Sequence, residues 1–85
     1  MNAVQWTARA ARQLRKLDRQ AQVRIRDAVS EKLTAFPDCT ELVALTGHAY
    51  GYRLRVGNYR VLFNHDALVE IISVEEVKKR DERTY

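Results

Sequence analysis

The stretch YRLRVGNYRVLF, residues 52–63, decides the fold because it has the pattern of a tight β-hairpin. Apolar and basic side chains alternate on both sides of Gly57-Asn58, a dipeptide that fits a two-residue turn. If that turn forms, the pairing of the two strands follows by counting outward from it. The predicted register pairs Val56 with Tyr59, Arg55 with Arg60, Leu54 with Val61, Arg53 with Leu62 and Tyr52 with Phe63.

The predicted hairpin has one apolar face and one basic face, because side chains alternate between the faces of a strand. We expect the apolar face to lie on the core; it consists of Tyr52, Leu54, Val56, Tyr59, Val61 and Phe63. The opposite face carries Arg53, Arg55 and Arg60, and the stretch contains no acidic residue. Like charges that face each other across two strands cost roughly 0.2–1 kcal/mol. Either an anionic ligand meets these arginines, or they are solvated and neutralised by Glu70 on the next strand.

The residues before the hairpin predict a strand and two helices. Val4–Trp6 has the character of a short strand, and Thr7 is the expected N-cap of a helix that runs to about Leu17. Asp18 is the expected N-cap of a second helix, which ends near Phe36 because Pro37 stops it. A connector follows, with Leu42, Val43 and Leu45 as expected contacts of the core.

The residues after the hairpin predict one more strand, Leu68–Val74, and then a charged tail that forms either a helical turn or an extended end. The predicted fold is therefore α+β in the order β-α-α-β-β-β, with two N-terminal helices packed on an antiparallel sheet. We expect residues 1–85 to form a single domain, since so short a chain has room for one modest core. The residues assigned to that core include Leu33, Leu54, Val61 and Ile71.

Composition favours a cytoplasmic protein with an anionic partner. Fifteen Lys and Arg residues stand against eleven Asp and Glu residues, which gives a net charge of +4. That excess favours nucleic acid, an acidic protein or a membrane surface as partner, but no apolar run approaches the ~20 residues of a membrane span. With Cys39 as the single cysteine, an intramolecular disulfide is excluded.

The sequence lacks the usual motifs of metal or nucleotide chemistry, and no metal or cofactor is expected. His48 and His65 stand in turn-like stretches without an evident acid or nucleophile beside them. RNA, however, carries its own nucleophile in the 2′-hydroxyl next to each phosphodiester. Fixed cations that stabilise the developing negative charge, together with a tyrosine such as Tyr85, could therefore cleave RNA without a metal.

Three segments give the chain a family resemblance: Leu45-Thr46-Gly47, the hairpin YRLRVGNYRVLF and the ending VKKRDERTY. Together they resemble the RelE/ParE superfamily of bacterial toxins, the toxin halves of type II toxin–antitoxin systems, and the resemblance covers nearly the whole chain. RelE-like members are described as metal-independent ribonucleases that cut mRNA in the ribosomal A site and leave a 2′,3′-cyclic phosphate and a 5′-hydroxyl. ParE-like members share the fold but inhibit DNA gyrase.

The RelE-like pattern implies a set of catalytic residues. Arg60 and Arg80 would hold the scissile phosphate, and a one-residue ambiguity of spacing leaves Lys79 as a rival to Arg80. Arg53 and Arg55 match positions where that family often has lysines, and they would orient the substrate and assist proton transfer. Tyr85 would stack on a base or help to activate the 2′-hydroxyl. The residues expected to bind RNA in addition are Lys78, Lys79 and Arg83.

The resulting hypothesis is a toxin that cleaves mRNA on the ribosome and is restrained by an antitoxin protein encoded nearby. Two alternatives stay open. One is a ParE-like inhibitor of DNA gyrase, and the other is a nucleic-acid-binding module without catalytic activity.

Overall fold

The structure, a computed structural model, describes residues 2–38 and 41–79, which form two α-helices and a five-stranded sheet. The helices are α1 (Ala8–Arg15) and α2 (Arg19–Ala28), and α2 continues into a π-helical turn, Val29–Leu33. The strands are β1 (Ala3–Trp6), β2 (Leu42–Ala44), β3 (Tyr52–Val56), β4 (Tyr59–Asp66) and β5 (Ile71–Lys79). The predicted α+β fold is confirmed.

The sheet has the strand order β1-β5-β4-β3-β2. The pairs β3–β4 and β4–β5 are antiparallel, as predicted. An additional strand, β2, joins β3 antiparallel, and β1 joins β5 in parallel. β2 was not predicted as a strand, because three residues are too few to show the alternation that identifies one. Leu42 packs against the core as expected, but Val43 does not, since 44% of its surface is exposed.

Both helices begin where the sequence places their caps. The side chain of Thr7 accepts a hydrogen bond from the amide of Ala10 at 3.1 Å, and that of Asp18 accepts one from the amide of Ala21 at 2.8 Å. Each cap satisfies an amide that has no partner within the first turn and contributes about 1 kcal/mol.

The end of the second helix differs from the prediction. Regular α-helix stops at Ala28, eight residues before Phe36, and the chain continues through the π-helical turn. The buried amide of Asn2 then closes this end by donating to the carbonyl of Phe36 at 2.9 Å and to that of Leu33 at 3.4 Å. Carbonyl groups at a helix end lack hydrogen-bond donors within the helix, and the side-chain amide of Asn2 is the donor here.

The core lies between the helices and one face of the sheet. Leu33, Leu54 and Val61 are fully buried, as predicted. Ile71 was wrongly assigned to the core; it is half-buried, and its neighbour Ile72 is the fully buried residue. The cluster of buried residues comprises Ala10, Leu14, Ile25, Val29, Leu33, Phe36, Leu54, Val56, Val61, Phe63, Ile72, Val74 and Val77.

The last strand begins later and runs further than predicted. β5 starts at Ile71 rather than Leu68, because the Asp66 side chain accepts hydrogen bonds from the amides of Leu68 at 3.0 Å and Val69 at 3.4 Å. These bonds hold both apolar residues in a turn, where 92% of the surface of Leu68 is exposed. The strand then extends through Lys79, so the beginning of the charged tail is extended rather than helical.

Helix α1 lies along β5 beyond the point where β1 ends. Gln13 accepts a hydrogen bond from the amide of Val77 through Oε1 at 2.7 Å, and its Nε2 lies 3.5 Å from Oε1 of Glu76. Oε1 of Gln13 thereby takes the place of a backbone carbonyl on a neighbouring strand. In the two described ranges, no helix is long and apolar enough to cross a membrane.

Candidate nucleic-acid interface

The hairpin turn places three arginines on one face of the sheet. β3 and β4 pair in the predicted register, with Arg55 opposite Arg60 and Arg53 opposite Leu62. Gly57 has a φ of +57°, the left-handed conformation that a two-residue hairpin requires at this position. Strand alternation then directs Arg53, Arg55 and Arg60 away from the core. We call this side of the sheet the arginine face.

The three arginines share one opening. Arg53, Arg55 and Arg60 line a small depression of about 100 Å³ together with Gly57 and Tyr59. Arg53 and Arg60 are half-buried, and Arg55 is exposed. Within residues 2–38 and 41–79, neither Arg53 nor Arg55 has a carboxylate at ion-pair distance. The depression is therefore a concentration of positive charge suited to an anion.

A β-bulge in β5 adds a fourth basic residue to the arginine face. Leu62 pairs with Glu76 and Phe63 with Val74, so Glu75 is an extra residue on β5. The extra residue reverses the alternation, and Val77 faces the core while Lys78 lies opposite Arg60. Arg55, Arg60 and Lys78 thus form a row across three strands.

The acid next to the row of Arg55, Arg60 and Lys78 is Glu76, and the expectation that Glu70 neutralises the arginines is wrong. Glu70 lies in the turn before β5, at the end of the sheet remote from Arg60. Oε2 of Glu76 lies 3.8 Å from Nζ of Lys78, where it restrains the lysine beside the arginine row.

The arginine face has an apolar floor. Leu62 lies between Arg53 on β3 and Glu76 on β5, and only 4% of its surface is exposed. It is not part of the cluster on the helix side. Since an apolar surround lowers the local dielectric, it strengthens the attraction between the neighbouring guanidinium groups and a bound anion.

Arg24 is a neighbour of the hairpin that sequence reasoning missed. A Cβ atom at Gly57 would lie 2.7 Å from Nη2 of Arg24, so the guanidinium of Arg24 packs on the turn. A second depression, on the α2 side of the turn, is lined by Arg24, Lys32, Arg55, Asp27, Glu31 and Glu41 among others. Arg24 is 33 positions away from Gly57 in the chain, and no sequence pattern connects the two.

The remaining candidate residues are placed only in part. Lys79 pairs with Tyr59, so strand alternation directs it away from the arginine face. Arg80, Arg83 and Tyr85 lie outside the described residues.

Both histidines were expected in turns. His48 is in the loop before β3, but His65 lies in β4, where its Nε2 is 3.1 Å from Oδ1 of Asn2 and its ring is 4.7 Å from that of Phe36. That position is structural. Among the described residues, no group of three His, Cys, Asp or Glu side chains could hold a metal ion.

Comparison with known proteins gives a family match over almost the whole chain. A family model described as the ParE toxin of the type II toxin-antitoxin system parDE matches residues 4–83. No curated protein sequence is significantly similar to the chain.

Solved structures share the fold at low sequence identity. The toxin–antitoxin complex RelBE2 from Mycobacterium tuberculosis contains a chain that is 24% identical, with a TM-score of 0.83 over 93% of this chain and 98% of that one. The isolated RelE toxin from E. coli is 17% identical, with a TM-score of 0.80 over 99% of this chain and 89% of its own. The archaeal RelE–RelB complex from Pyrococcus horikoshii gives 21% identity and a TM-score of 0.71, over 95% and 97% of the two chains.

Proposed function

The chain belongs to the ParE toxin family of type II toxin–antitoxin systems, within the RelE/ParE superfamily, and we propose that it acts as a ribosome-dependent endoribonuclease on mRNA. The observation that carries the proposal is the shared depression lined by Arg53, Arg55 and Arg60. Such a cluster would stabilise the negative charge that increases on a phosphate of the RNA strand in the transition state of cleavage.

The proposed reaction uses the nucleophile that RNA supplies. The 2′-oxygen forms a bond to phosphorus and gives up its proton to a base, while the bond from phosphorus to the 5′-oxygen breaks and that oxygen takes up a proton. The products are a 2′,3′-cyclic phosphate and a 5′-hydroxyl. Negative charge increases on the non-bridging oxygens in the transition state, so fixed cations at these oxygens accelerate the step without a metal.

The arrangement on the sheet supports particular roles. Arg60 would hold the scissile phosphate, with Lys78 opposite it on β5 as a second cation. Arg53 and Arg55 would bind the phosphate from the β3 side and orient it. Because guanidinium groups stay protonated, these arginines would supply charge and hydrogen bonds rather than accept the proton.

The proposal assigns the remaining roles to residues near the end of the chain. The register directs Lys79 away from the arginine face, which favours Arg80 over Lys79 as the other phosphate ligand. Tyr85 would stack on a base or help to activate the 2′-hydroxyl, and Lys78 and Arg83 would bind flanking phosphates.

We further propose a protein antitoxin as partner. The chains matched in Mycobacterium tuberculosis and Pyrococcus horikoshii were crystallised in toxin–antitoxin complexes. A net charge of +4 and an open arginine face favour a partner with an acidic segment.

Cleavage in a translating extract tests the proposal. The purified protein should cut messages within their coding regions, and primer extension should map the cuts. Removing ribosomes while keeping the same RNA should suppress the cuts, and adding a chelator should not. If messages stay intact while protein synthesis stops, the proposed activity is wrong.

A second candidate function is inhibition of DNA gyrase, which the description of the matching family model favours. Its test is the supercoiling of a relaxed plasmid by purified gyrase with excess toxin present. Loss of supercoiling together with intact messages would establish this candidate in place of the ribonuclease. Normal supercoiling would dismiss it.

A further inference from the structure

The proposed reaction needs a group that accepts the proton of the 2′-hydroxyl. The guanidinium groups of the arginine face stay protonated, and an ammonium group is a donor without an acceptor site. An ionised carboxylate is an acceptor only, and β5 carries two carboxylates, on Glu75 and Glu76. Their contacts show which of the two can reach the row formed by Arg55, Arg60 and Lys78.

Glu75 is directed away from that row. Its Oε2 accepts a hydrogen bond from the hydroxyl of Ser73 at 2.7 Å. Ser73 pairs with Asn64, which lies four positions beyond Arg60 on β4, about 13 Å along an extended strand. The carboxylate of Glu75 is thus both occupied and remote from the candidate phosphate site.

Glu76 has a largely buried side chain whose oxygens retain acceptor capacity. Only 14% of that side chain is exposed. Its Oε1 lies 3.5 Å from Nε2 of Gln13, and its Oε2 lies 3.8 Å from Nζ of Lys78. A charged donor usually approaches a carboxylate to about 2.7–2.9 Å, so neither contact saturates the group. Within residues 2–38 and 41–79, the carboxylate of Glu76 is therefore restrained and still able to accept a proton.

The register brings Glu76 close to Arg60. Lys78 lies opposite Arg60, and Glu76, two positions earlier, lies opposite Leu62. Diagonal neighbours on two strands are about 7–8 Å apart, which is within reach of long side chains. Only 4% of Leu62 is exposed, which means that longer side chains lie over it. Since its neighbours on the adjacent strands are Arg53 and Glu76, the carboxylate and the guanidinium groups lie around the same leucine.

We propose that Glu76 is the general base of the reaction. This inference rests on the proposed function and supplies the reacting group that the arginines cannot provide. One oxygen of the Glu76 carboxylate takes the proton of the 2′-hydroxyl while the 2′-oxygen bonds to phosphorus. The bond from phosphorus to the 5′-oxygen breaks, and that oxygen takes a proton from a water molecule. Glu76 then gives its proton to the resulting hydroxide and is a carboxylate again.

The cations around Glu76 allow a carboxylate to lie next to an RNA strand. An isolated carboxylate would repel the phosphates, but the ammonium group of Lys78 and the guanidinium groups of the arginine face offset that repulsion. The ion pair with Lys78 also holds the carboxylate beside the phosphate that Arg60 would bind.

Single-turnover cleavage of a short synthetic message on purified ribosomes tests the assignment. Glu76→Gln keeps the shape of the side chain but cannot take the proton, so cleavage at saturating protein should slow by about 10²–10⁴-fold. Binding to a message with a 2′-deoxy nucleotide at the cut should be at least as tight as for the wild type, because a negative charge near the phosphates is lost. Glu75→Gln is the matched control and should cleave at nearly the wild-type rate.

Chemical rescue separates proton transfer from a structural role. In Glu76→Ala, added formate or acetate should restore part of the rate, and acetate, the more basic anion, should restore more of it. Chloride at the same concentration should restore none. Thermal unfolding of each variant checks that the fold is intact.

Four results would overturn the inference while the ribonuclease proposal stands. They are cleavage by Glu76→Gln at the wild-type rate, an equal loss in Glu75→Gln, a loss of binding as large as the loss of cleavage, and rescue by acetate no better than by chloride. If the wild type does not cleave any programmed message, the proposed function fails, and this inference fails with it.

Discussion

The two faces of the β3–β4 hairpin differ in polarity and burial, although both are formed by alternate residues of the same twelve-residue stretch, 52–63. On the helix side, Leu54, Val61 and Phe63 are fully buried in the core. On the other side, Arg55 and Arg60 stand opposite each other and line an open depression. Burial of apolar surface stabilises the first face, whereas repulsion between like charges destabilises the second. The first face thus stabilises the fold, whereas the second lowers its stability.

The largest expected effect comes from a substitution on the helix side of the β3–β4 hairpin. Leu54→Ala should lower the free energy of unfolding by about 2–5 kcal/mol, because it leaves a cavity among buried side chains. Chemical denaturation followed by circular dichroism measures the change. Leu68→Ala is the matched control, since 92% of that leucine is exposed, and it should change stability by less than about 0.5 kcal/mol. Equal effects of the two changes would contradict the assignment of the core.

Arg60→Ala should reduce the proposed activity of the arginine face without unfolding the protein. We expect cleavage in the translating extract to fall by about 10²–10³-fold, the loss typical for one group that stabilises transition-state charge. Arg26→Ala removes the same charge from the exposed surface of α2 and should leave the rate nearly unchanged. If both variants lose activity equally, net charge rather than the site is responsible.

Gly57→Ala tests the turn that separates the faces. A φ of +57° disfavours any residue with a Cβ by about 1–2 kcal/mol, and the new methyl group would meet the guanidinium of Arg24. Denaturation of Gly57→Ala with and without Arg24→Ala separates backbone strain from the contact. Gly51→Ala is the control, because its Cβ would be in ordinary contact, 3.5 Å from Oδ1 of Asn64. A neutral Gly57→Ala would mean that the turn has another geometry.

The smallest effect concerns repulsion across the arginine face. Arg55→Gln should raise the free energy of unfolding by about 0.2–1 kcal/mol, since it relieves the like-charge pair with Arg60. The same change should weaken RNA cleavage. Denaturation at low and at 1 M salt should show the gain shrink as the charges are screened. Arg12→Gln on α1 controls for general charge effects. An equal gain in stability there would show that net charge, rather than the pair with Arg60, is responsible.

The parts of the fold that depend on short-range counting could be predicted from the sequence. Gly57-Asn58 determined the register of β3 and β4, and Thr7 and Asp18 marked the starts of both helices. In each case a residue type and its neighbours within a few positions contain the whole physical cause. The location of Arg53, Arg55 and Arg60 on one face follows from the same counting.

The parts that depend on distant contacts could not be predicted. The bulge at Glu75 shifts the alternation of β5, so that Val77 faces the core and Lys78 the arginines; nothing within IISVEEVKK marks the extra residue. The apolar pair Leu68 and Val69 was taken for strand because the hydrogen bonds from their amides to Asp66 are not visible in a hydrophobic pattern.

The side chain of Gln13 has a consequence for how the protein behaves at high concentration. An exposed strand edge invites a strand of another molecule, and such pairing is a route to aggregation. Because Gln13 accepts the hydrogen bond of the Val77 amide, this amide on the β5 edge is not available to a strand of another molecule. At the other border of the sheet, β2 is only three residues long, and so short an edge offers little to pair with. Beyond the end of β1 and along β2, the described part of the sheet therefore offers little free backbone to a strand of another molecule.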